Sequence, residues 1–452
     1  MKLKLREIAD CLGTEIESDA LITSVSTDTR KIEKGCLFIC LRGERFDAHD
    51  FAAQAAEGGA AAIVSEKDIE CSVPVLRVES THKALLDIAR MYRLKFDIPV
   101  VGLTGSVGKT TTKEMIFSVL SEKYNTLKTQ GNLNNEIGLP TTLFSLDEKT
   151  EAAVIEMGMN HFGEISRLTN TCLPTMAVIT NIGVSHIEFL GSRDGILKAK
   201  CEIFEGLKTG SYAALNGDDD KLITVKKDGY KILFYGINNP ENDVLATDIV
   251  QNGESTSFTV HFDGKTQKVT IPTVGLHNVY DALAAFTVGV CHGIAPEKIA
   301  QGLSKYTPAG MRQRIKNVNG ITVVEDCYNA SPDSQKAAVD TLLALNGKRK
   351  IAVLGDMLEL GERSAELHAD VGKYLSEKGI DMLLTYGELS KNTASAVTNG
   401  KTECFSFETK DELTEKLLAV LKEGDVVLFK ASRGMKLEEV INNLYGEWNY
   451  NE

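Results

Sequence analysis

The chain of 452 residues is 43% hydrophobic and 25% charged, a balance typical of a folded protein that is long enough for about three domains. Its 50 Lys and Arg and 63 Asp and Glu give a formal net charge of −13, which argues against nucleic acid or an anionic membrane as the main partner. Because it has neither an apolar leader nor a long apolar run, we expect a cytoplasmic protein without membrane contact.

Residues 1–97 mix short helices with short apolar strands, which predicts a small N-terminal α/β domain. Helices are expected at residues 5–12, 51–57 and 82–92, and strands at 36–41, 60–64 and 73–78. Pro99 closes this region, because the residue before a proline is disfavoured in the helical conformation. The nine cysteines, spread from Cys11 to Cys404 without metal-finger spacing, are expected to be buried free thiols.

Residues 98–309 and 310–452 each alternate apolar strands with helices, the pattern of a mostly parallel sheet covered on both faces. Strands are expected at 100–104, 152–155, 176–180, 212–215, 322–325, 351–354, 382–385 and 426–429. A β-rich insertion over 231–271 precedes helices at 279–290 and 296–305. The predicted fold class is therefore α/β with three domains: a small N-terminal one, a central mononucleotide-binding one with a phosphate loop, and a C-terminal Rossmann-like one.

The clearest motif is a glycine turn between the strand at 100–104 and a helix that should begin at Lys109. Gly105 and Gly108 let successive backbone N–H groups converge on phosphate oxygens, and the helix N-terminus adds its positive dipole end. Lys109 supplies a cation for the outer phosphates, and the Thr110 hydroxyl can ligate Mg²⁺. The loop is a variant, since Leu103 stands where the strict motif has glycine.

A phosphate loop needs a carboxylate for its metal at the end of a neighbouring strand, and Glu156 occupies such a place. The alternative is an exposed acid at a strand end. His186, in a loop after another strand, is a second candidate ligand, or else an ordinary hydrogen-bonding residue. Nothing in the sequence around Lys198 and Lys200 distinguishes functional lysines from lysines on a solvated, charged helix face.

Four further stretches follow one another along the central region. They are residues 104–111 (TGSVGKTT), 131–140 (GNLNNEIGLP), 156–158 (EMG), and His186 followed by 199–204 (AKCEIF). Taken in order, they resemble the Mur ligases, which build the peptide of peptidoglycan. The resemblance extends to residues 26–30 and 46–51. Residues 326–334, 354–361 and 430–435 are similar to the member of that family that joins D-alanyl-D-alanine to UDP-N-acetylmuramoyl-tripeptide.

The resemblance implies that the three domains, 1–97, 98–309 and 310–452, bind the UDP-sugar, ATP and the incoming dipeptide, respectively. It implies ATP and Mg²⁺ as cofactors and a CO₂-derived carbamate on Lys200. The implied catalytic residues are Lys109, Glu156, His186 and Lys200, and the implied metal ligands are Thr110, Glu156, His186 and Lys200 as carbamate. The implied ATP-binding residues are Thr104, Gly105, Ser106, Val107, Gly108, Lys109, Thr110, Thr111, Asn278 and Arg312. From its position alone, Asn278 could instead be a helix cap.

The resemblance also assigns candidates for the two remaining substrates. Those for the UDP-sugar peptide are Ser26, Asp28, Thr29, Arg30, Asp47, His49, Asn134 and Asn135. Those for the dipeptide are Asp326, Asn329, Asp333 and Arg433. Arg433 is suited to gripping a carboxylate, and Asp326 or Asp333 could take the proton of the amine. The alternatives are loop capping for Asp326, Asn329 and Asp333 and a surface ion pair for Arg433.

The expected reaction converts a peptide carboxylate into an acyl phosphate at the expense of ATP, after which an amine forms the amide. We expect a monomer that acts on small-molecule substrates. Three alternatives remain: a Mur ligase that adds a single amino acid, a folylpolyglutamate synthetase-like ligase, and an ATP-binding regulatory or scaffold protein without turnover.

Overall fold

The computed structural model describes residues 1–43, 46–226 and 228–448 and follows the predicted alternation of elements. Residues 1–99 contain strands β1 (Leu3–Lys4), β2 (Leu21–Ile22), β3 (Ser24–Ser26), β4 (Cys36–Ile39), β5 (Ala60–Ser65) and β6 (Val75–Arg77), and helices α1 (Leu5–Leu12), α2 (Ala52–Glu57) and α3 (Thr81–Arg93). The strand predicted over 36–41 ends at Ile39, and that over 73–78 is shortened to Val75–Arg77.

Residues 100–309 contain the predicted strands, the β-rich insertion and the helical pair. The elements are β7 (Val100–Thr104), α4 (Lys109–Leu120), β8 (Thr126–Lys128), α5 (Gly138–Leu143), β9 (Ala152–Glu156), α6 (Glu164–Cys172), β10 (Met176–Ile179), α7 (Ile187–Leu190), α8 (Arg193–Lys200), β11 (Tyr212–Asn216), β12 (Lys231–Gly236), β13 (Val244–Asn252), β14 (Ser255–Phe262), β15 (Lys265–Ile271), α9 (Leu276–Cys291) and α10 (Pro296–Ser304).

The remaining described residues continue the βα alternation. The elements are β16 (Arg314–Val318), β17 (Ile321–Asp326), α11 (Pro332–Ala344), β18 (Arg349–Gly355), α12 (Ser364–Lys378), β19 (Met382–Tyr386), α13 (Lys391–Ser395), β20 (Glu403–Phe407), α14 (Lys410–Val420), β21 (Asp425–Lys430) and α15 (Glu438–Glu447). Within the described residues, no helix is long and apolar enough to cross a membrane.

The chain divides into two compact units. The first unit comprises Met1–Leu103, Tyr124–Ala177 and Cys201–Ser211, and the second unit comprises Thr104–Lys123, Val178–Lys200 and the described residues from Tyr212 onward.

In the first unit, β3, β4, β5 and β6 form a parallel sheet in that order, and β9 lies between β7 and β8, parallel to both. Helix α3 joins the early residues of this unit to the later ones. The hydroxyl of Tyr92 donates to the carbonyl of Leu146 at 2.7 Å, and the guanidinium of Arg93 donates to that of Cys172 at 3.0 Å. Both side chains are buried, so these bonds replace water that burial has removed.

In the second unit, β11, β12 and β13 are parallel, whereas β13, β14 and β15 form an antiparallel meander. Strands β12 to β15 make up the β-rich insertion predicted over residues 231–271. A second sheet has the order β16-β17-β21-β18-β19-β20, with antiparallel pairing only between β16 and β17 among its described pairs. Every residue of β21 is buried, as expected of a central parallel strand. The α/β fold class is confirmed.

All nine cysteines are free thiols, as predicted, but the prediction that they are buried is wrong for five of them. Cys11, Cys71, Cys201 and Cys291 are partly exposed, and Cys404 is exposed. Cys404 lies on β20, at the edge of its sheet, where one side of the strand has no neighbour to cover it.

Candidate active site

The phosphate loop of the second unit is shaped by two glycines that admit no side chain. A Cβ atom on Gly105 would lie 1.8 Å from the Thr180 hydroxyl oxygen. Gly108 has a φ of +84° and caps helix α4, and a Cβ atom there would lie 2.6 Å from a carboxylate oxygen of Asp281. The helix begins at Lys109, as the sequence predicts, because the left-handed Gly108 turns the chain into it.

Two residues of the second unit that sequence reasoning did not assign to the site, Thr180 and Asn181, anchor this loop. Asn181 accepts from the backbone N–H groups of Ser106 at 3.1 Å and Val107 at 2.9 Å. The Thr180 hydroxyl donates to the carbonyl of Val107 at 2.6 Å. Their only sequence signal is position, since polar residues at the carboxyl end of a parallel strand commonly serve a ligand site.

Lys109 and Thr110 stand in the first turn of α4, where the loop needs its cation and its hydroxyl. The Lys109 ammonium donates to the carbonyls of Gly105 at 2.8 Å and Ser106 at 3.4 Å, so its side chain curls back over the loop. Thr110 is buried. Both residues therefore occupy the positions from which the predicted roles toward phosphate and Mg²⁺ can be performed.

Lys200 ends helix α8 and is only 2% exposed, whereas Lys198 on the same helix is exposed. Burial lowers the pKa of Lys200 well below its ordinary value, and repulsion by the nearby Lys109 lowers it further. The alternative that Lys200 lies on a solvated, charged helix face is therefore wrong. A depressed pKa favours the neutral amine, which is the form that reacts with CO₂.

His186 precedes helix α7 with a φ of +63°, and its side chain is 18% exposed. Its Nδ1 atom lies 2.8 Å from a carboxylate oxygen of Glu359, a residue that sequence reasoning quoted without assigning it a role. The nearby His186 ring lowers the pKa of Glu359. Because the carboxylate lies on the Nδ1 side of the ring, Nε2 is the ring nitrogen that can serve a metal.

Glu156 belongs to the first unit, where it is the last residue of strand β9 and is 1% exposed. The alternative that it is an exposed acid at a strand end is therefore wrong. It is paired in register with Leu103 of β7, the residue that precedes the phosphate loop in sequence. The side-chain amide of Asn134 donates to its carboxylate at 2.8 Å, and its backbone N–H donates to the Thr129 hydroxyl at 3.0 Å. Asn134 thus orients the carboxylate.

Within the described residues, no group of three or more His, Cys, Asp and Glu side chains is arranged to hold a metal ion. The predicted ligand set is compatible with that finding, because it contains only one carboxylate and one imidazole and depends on Thr110 and a modified Lys200 for the rest. The lowered pKa of Lys200 fits the modification, and carbamate and hydroxyl oxygens are donors that Mg²⁺ accepts.

The predicted nucleotide residues Asn278 and Arg312 both lie in the second unit. Asn278 is 1% exposed, and its side-chain amide donates to the carbonyl of Val274 at 2.6 Å and to Gln313 at 2.7 Å. It is not the cap of α9, which is Gly275. The guanidinium of Arg312 lies 4.1 Å from the centre of the Tyr328 ring, a cation–π contact.

The candidates for the UDP-sugar peptide lie in the first unit and are engaged with one another. Arg30 forms a two-pronged ion pair with Asp28 and lowers the pKa of Asp28 to about 2. Asp47 accepts from Lys67 at 2.7 Å and from His49 at 2.5 Å, and these bonds lower the pKa of Asp47. Ser26 bonds to the backbone of Asp28, Thr29 begins a short 3₁₀ turn, and Asn135 accepts from the N–H groups of Ile137 and Gly138.

The four dipeptide candidates lie in the second unit in different environments. Asp326 accepts a hydrogen bond from the buried Lys430 ammonium at 2.6 Å. The alternative that Asp326 caps a loop is therefore wrong. The Asn329 side chain accepts from the next N–H group, and the exposed Asp333 stands in the first turn of α11. Arg433 is 56% exposed and pairs with Glu438 at 2.7 Å.

Comparison with known proteins divides the chain into three matched stretches. Residues 21–93 match the Mur ligase family, catalytic domain; residues 103–289 match the Mur ligase middle domain; and residues 311–433 match the Mur ligase, glutamate ligase domain. Each stretch falls inside one of the three predicted domains, whose boundaries at 97/98 and 309/310 stay predictions.

Individual relatives match nearly end to end. The UDP-N-acetylmuramoyl-tripeptide--D-alanyl-D-alanine ligase of Bacillus subtilis is 44% identical, over 94% of this chain and 93% of that protein. A crystal structure of MurF from Acinetobacter baumannii has a TM-score of 0.91 at 33% identity and covers 99% of both chains. MurF from Thermotoga maritima in complex with ADP has a TM-score of 0.86 at 31% identity, over 94% of this chain and 98% of that chain. On these grounds the chain belongs to the Mur ligase family.

Proposed function

We propose that the chain is an ATP-dependent, ADP-forming ligase that joins D-alanyl-D-alanine to the peptide carboxylate of UDP-N-acetylmuramoyl-tripeptide. The names of its near full-length relatives support this substrate pair. The observation that carries the ATP-dependent step is the anchored loop from Gly105 to Thr110, with Lys109 at the helix N-terminus and the buried Lys200 beside it.

The chemistry begins with a carboxylate, a poor electrophile because its charge is delocalised and it lacks a leaving group. Transfer of the γ-phosphoryl group of ATP to a carboxylate oxygen gives an acyl phosphate and ADP. The dipeptide amine then attacks the carbonyl carbon, the bond to phosphate breaks, and the amine loses a proton. Lys109 and the loop amides would neutralise charge on the transferring group while holding it in line.

We propose that Thr110, Glu156, His186 and the carbamate of Lys200 hold Mg²⁺, which when bound supplies charge neutralisation on the phosphoryl oxygens. The neutral amine of Lys200 attacks the carbon of CO₂, an N–C bond forms and one proton leaves. This converts a buried amine that resists a positive charge into an anionic oxygen donor. Repulsion from Lys109, which disfavours the ammonium, favours the carbamate.

The remaining assignments are proposals of the same kind. Arg433, exposed and held by a single carboxylate, can exchange Glu438 for the dipeptide carboxylate. Asn329 and the exposed Asp333 are proposed to contact the dipeptide, and Asp333 is the better placed of the two acids to accept its proton, because Asp326 is occupied by Lys430. Asn278 and Arg312 are proposed for the nucleotide. The residues proposed for the UDP-sugar peptide are Ser26, Asp28, Thr29, Arg30, Asp47, His49, Asn134 and Asn135. A monomer and a cytoplasmic location stay predictions.

The test is turnover of the Lys109→Ala variant, with Lys268→Ala, an exposed lysine on β15, as the matched control. ADP release that requires both UDP-N-acetylmuramoyl-tripeptide and D-alanyl-D-alanine should fall by about 10²- to 10³-fold in Lys109→Ala and stay unchanged in the control. Full turnover in Lys109→Ala would show that the loop is not the ATP site. Replacing the dipeptide by single amino acids or by glutamate separates the proposed activity from the other Mur ligases and from folylpolyglutamate synthetase-like ligases.

A further inference from the structure

The segment after strand β18, residues 356–361, belongs to the stretch 354–361 that resembles the family but received no role, and the structure shows what it contacts. Within it, Glu359 has a φ of +63°, a left-handed backbone that non-glycine residues rarely adopt. Its side chain extends to His186, which has the same unusual φ of +63°. Two residues that contact each other and share this rare backbone conformation indicate that the surrounding structure holds both of them in place.

The contact is specific and is supported on both sides. The Glu359 carboxylate lies 2.8 Å from Nδ1 of His186 and is itself about half exposed. Two residues further on, a Cβ atom on Gly361 would lie 3.2 Å from the side chain of Glu188, in the turn of α7 that follows His186. The segment therefore packs along the His186 turn, where it is held by the ion pair and by the close approach of Gly361 to Glu188.

Histidines that bind a metal through one ring nitrogen usually donate the N–H of the other to a carboxylate or carbonyl. That hydrogen bond fixes the tautomer and the ring orientation and raises the basicity of the ligating nitrogen. Glu359 places a carboxylate oxygen 2.8 Å from Nδ1, the position of that second partner, although the ring N–H does not point along a hydrogen bond to it in this structure. Nε2 is then the ring nitrogen left for a metal.

From this geometry we propose that Glu359 is a positioning residue for His186, which fixes its ring so that Nε2 serves Mg²⁺. The inference rests on the proposed function, in which His186 is a metal ligand. It gives residues 356–361 a task, namely to connect β18, in the sheet that contains the dipeptide candidate Asp326, to His186. Metal affinity should then depend on this segment.

The experiment measures Mn²⁺ binding to the full-length protein with ADP present, by the loss of the electron paramagnetic resonance signal of free Mn²⁺. Glu359→Ala should weaken the Mn²⁺ binding that depends on His186 by about 10-fold or more. Glu359→Gln, which keeps the size and an acceptor oxygen, should fall between Glu359→Ala and the wild type. Glu362→Gln, an exposed carboxylate of the neighbouring 3₁₀ turn, is the matched control and should bind like the wild type.

His186→Ala and the double variant His186→Ala/Glu359→Ala complete the cycle. If Glu359 acts through His186, removing it in the His186→Ala background should change Mn²⁺ affinity no further. Additive losses, or wild-type affinity in both Glu359 variants while His186→Ala binds weakly, would overturn the inference and leave the proposed function standing. Unchanged affinity in His186→Ala would instead refute His186 as a ligand, and with it both proposals for this residue. Should Glu359→Ala fail to fold, the same cycle run with Glu359→Gln decides.

Discussion

A buried carboxyl group beneath the phosphate loop should make the second unit lose stability as the pH rises. Asp281 of α9 is 6% exposed, and its carboxylate accepts from the Thr112 hydroxyl at 2.5 Å. Burial raises the pKa of Asp281 from 3.8 to about 7, and the bond from Thr112 opposes this only in part. The perturbation is Asp281→Asn, which keeps the shape and the acceptor oxygen but cannot ionise.

The sign follows from proton linkage. The pKa of this carboxyl group is higher in the folded state than in the unfolded chain. At a pH below the unfolded pKa the group is protonated in both states, so it does not change the free energy of unfolding. As the pH rises from 3.8 towards 7 the unfolded chain ionises freely and the folded one does not, so stability falls and then levels off above 7. One pKa unit corresponds to about 1.4 kcal/mol, so the full loss is about 4 kcal/mol, of which about 3 kcal/mol develops between pH 5 and pH 8.

The assay is urea unfolding of the wild type and Asp281→Asn at several pH values between 5 and 8. The only tryptophan, Trp448, lies in the same unit as Asp281, so its fluorescence reports on the relevant transition. The free-energy difference between the two proteins should change by about 3 kcal/mol in favour of the variant across this range. Asp263→Asn, at an exposed turn, should show no such trend. A difference that is constant with pH would refute the reasoning, because it would mean that the buried carboxyl is already ionised in the folded protein at pH 5.

Two further substitutions test the loop and a buried ion pair. Gly105→Ala should lower kcat/KM for ATP by about 10²-fold, because its Cβ atom would lie 1.8 Å from the Thr180 hydroxyl and displace the loop. The control is Gly446→Ala, because a Cβ atom on Gly446 would meet open space. If Gly105→Ala had the same kcat/KM as the wild type, the result would contradict the structure. Lys430→Met should lower the free energy of unfolding by about 3 kcal/mol, since it leaves Asp326 without its partner. A loss below about 0.5 kcal/mol in urea unfolding would place that pair among weak surface pairs.

Local features of the site were predictable because their physical cause lies within a few residues. The start of α4 at Lys109 follows from Gly108, and strand β9 extends only one residue beyond the predicted 152–155, to Glu156. The alternating polar and apolar residues of the insertion likewise predicted its β strands, although not how they pair. Periodicity and glycine position were sufficient for these elements.

Contacts between distant parts of the chain left no comparable signal. Asp281 is separated from Thr112 by 169 positions, and in sequence it is one of several polar residues in a mainly apolar helix. Glu359 stood in a quoted motif, but nothing local indicated that its partner would be His186. Lys200 could be distinguished from Lys198 only by the family resemblance, since burial, which makes the difference, is decided by packing.

The pairing of the site residues in the structure separates those that can exchange a partner for a substrate from those that cannot. The Lys109 ammonium rests on loop carbonyls, bonds that a phosphate oxygen can replace at a cost of about 1 kcal/mol each. The Lys430 ammonium is buried against Asp326, and breaking that pair would leave two charges out of water at several kcal/mol. Lys109 can therefore exchange its partners for a substrate, and by the same reasoning so can the exposed Arg433. The Asp326–Lys430 pair is expected to stay intact when substrate binds. Lys430 also donates to the carbonyl of Asn329, so the pair is expected to support the loop that carries Asn329.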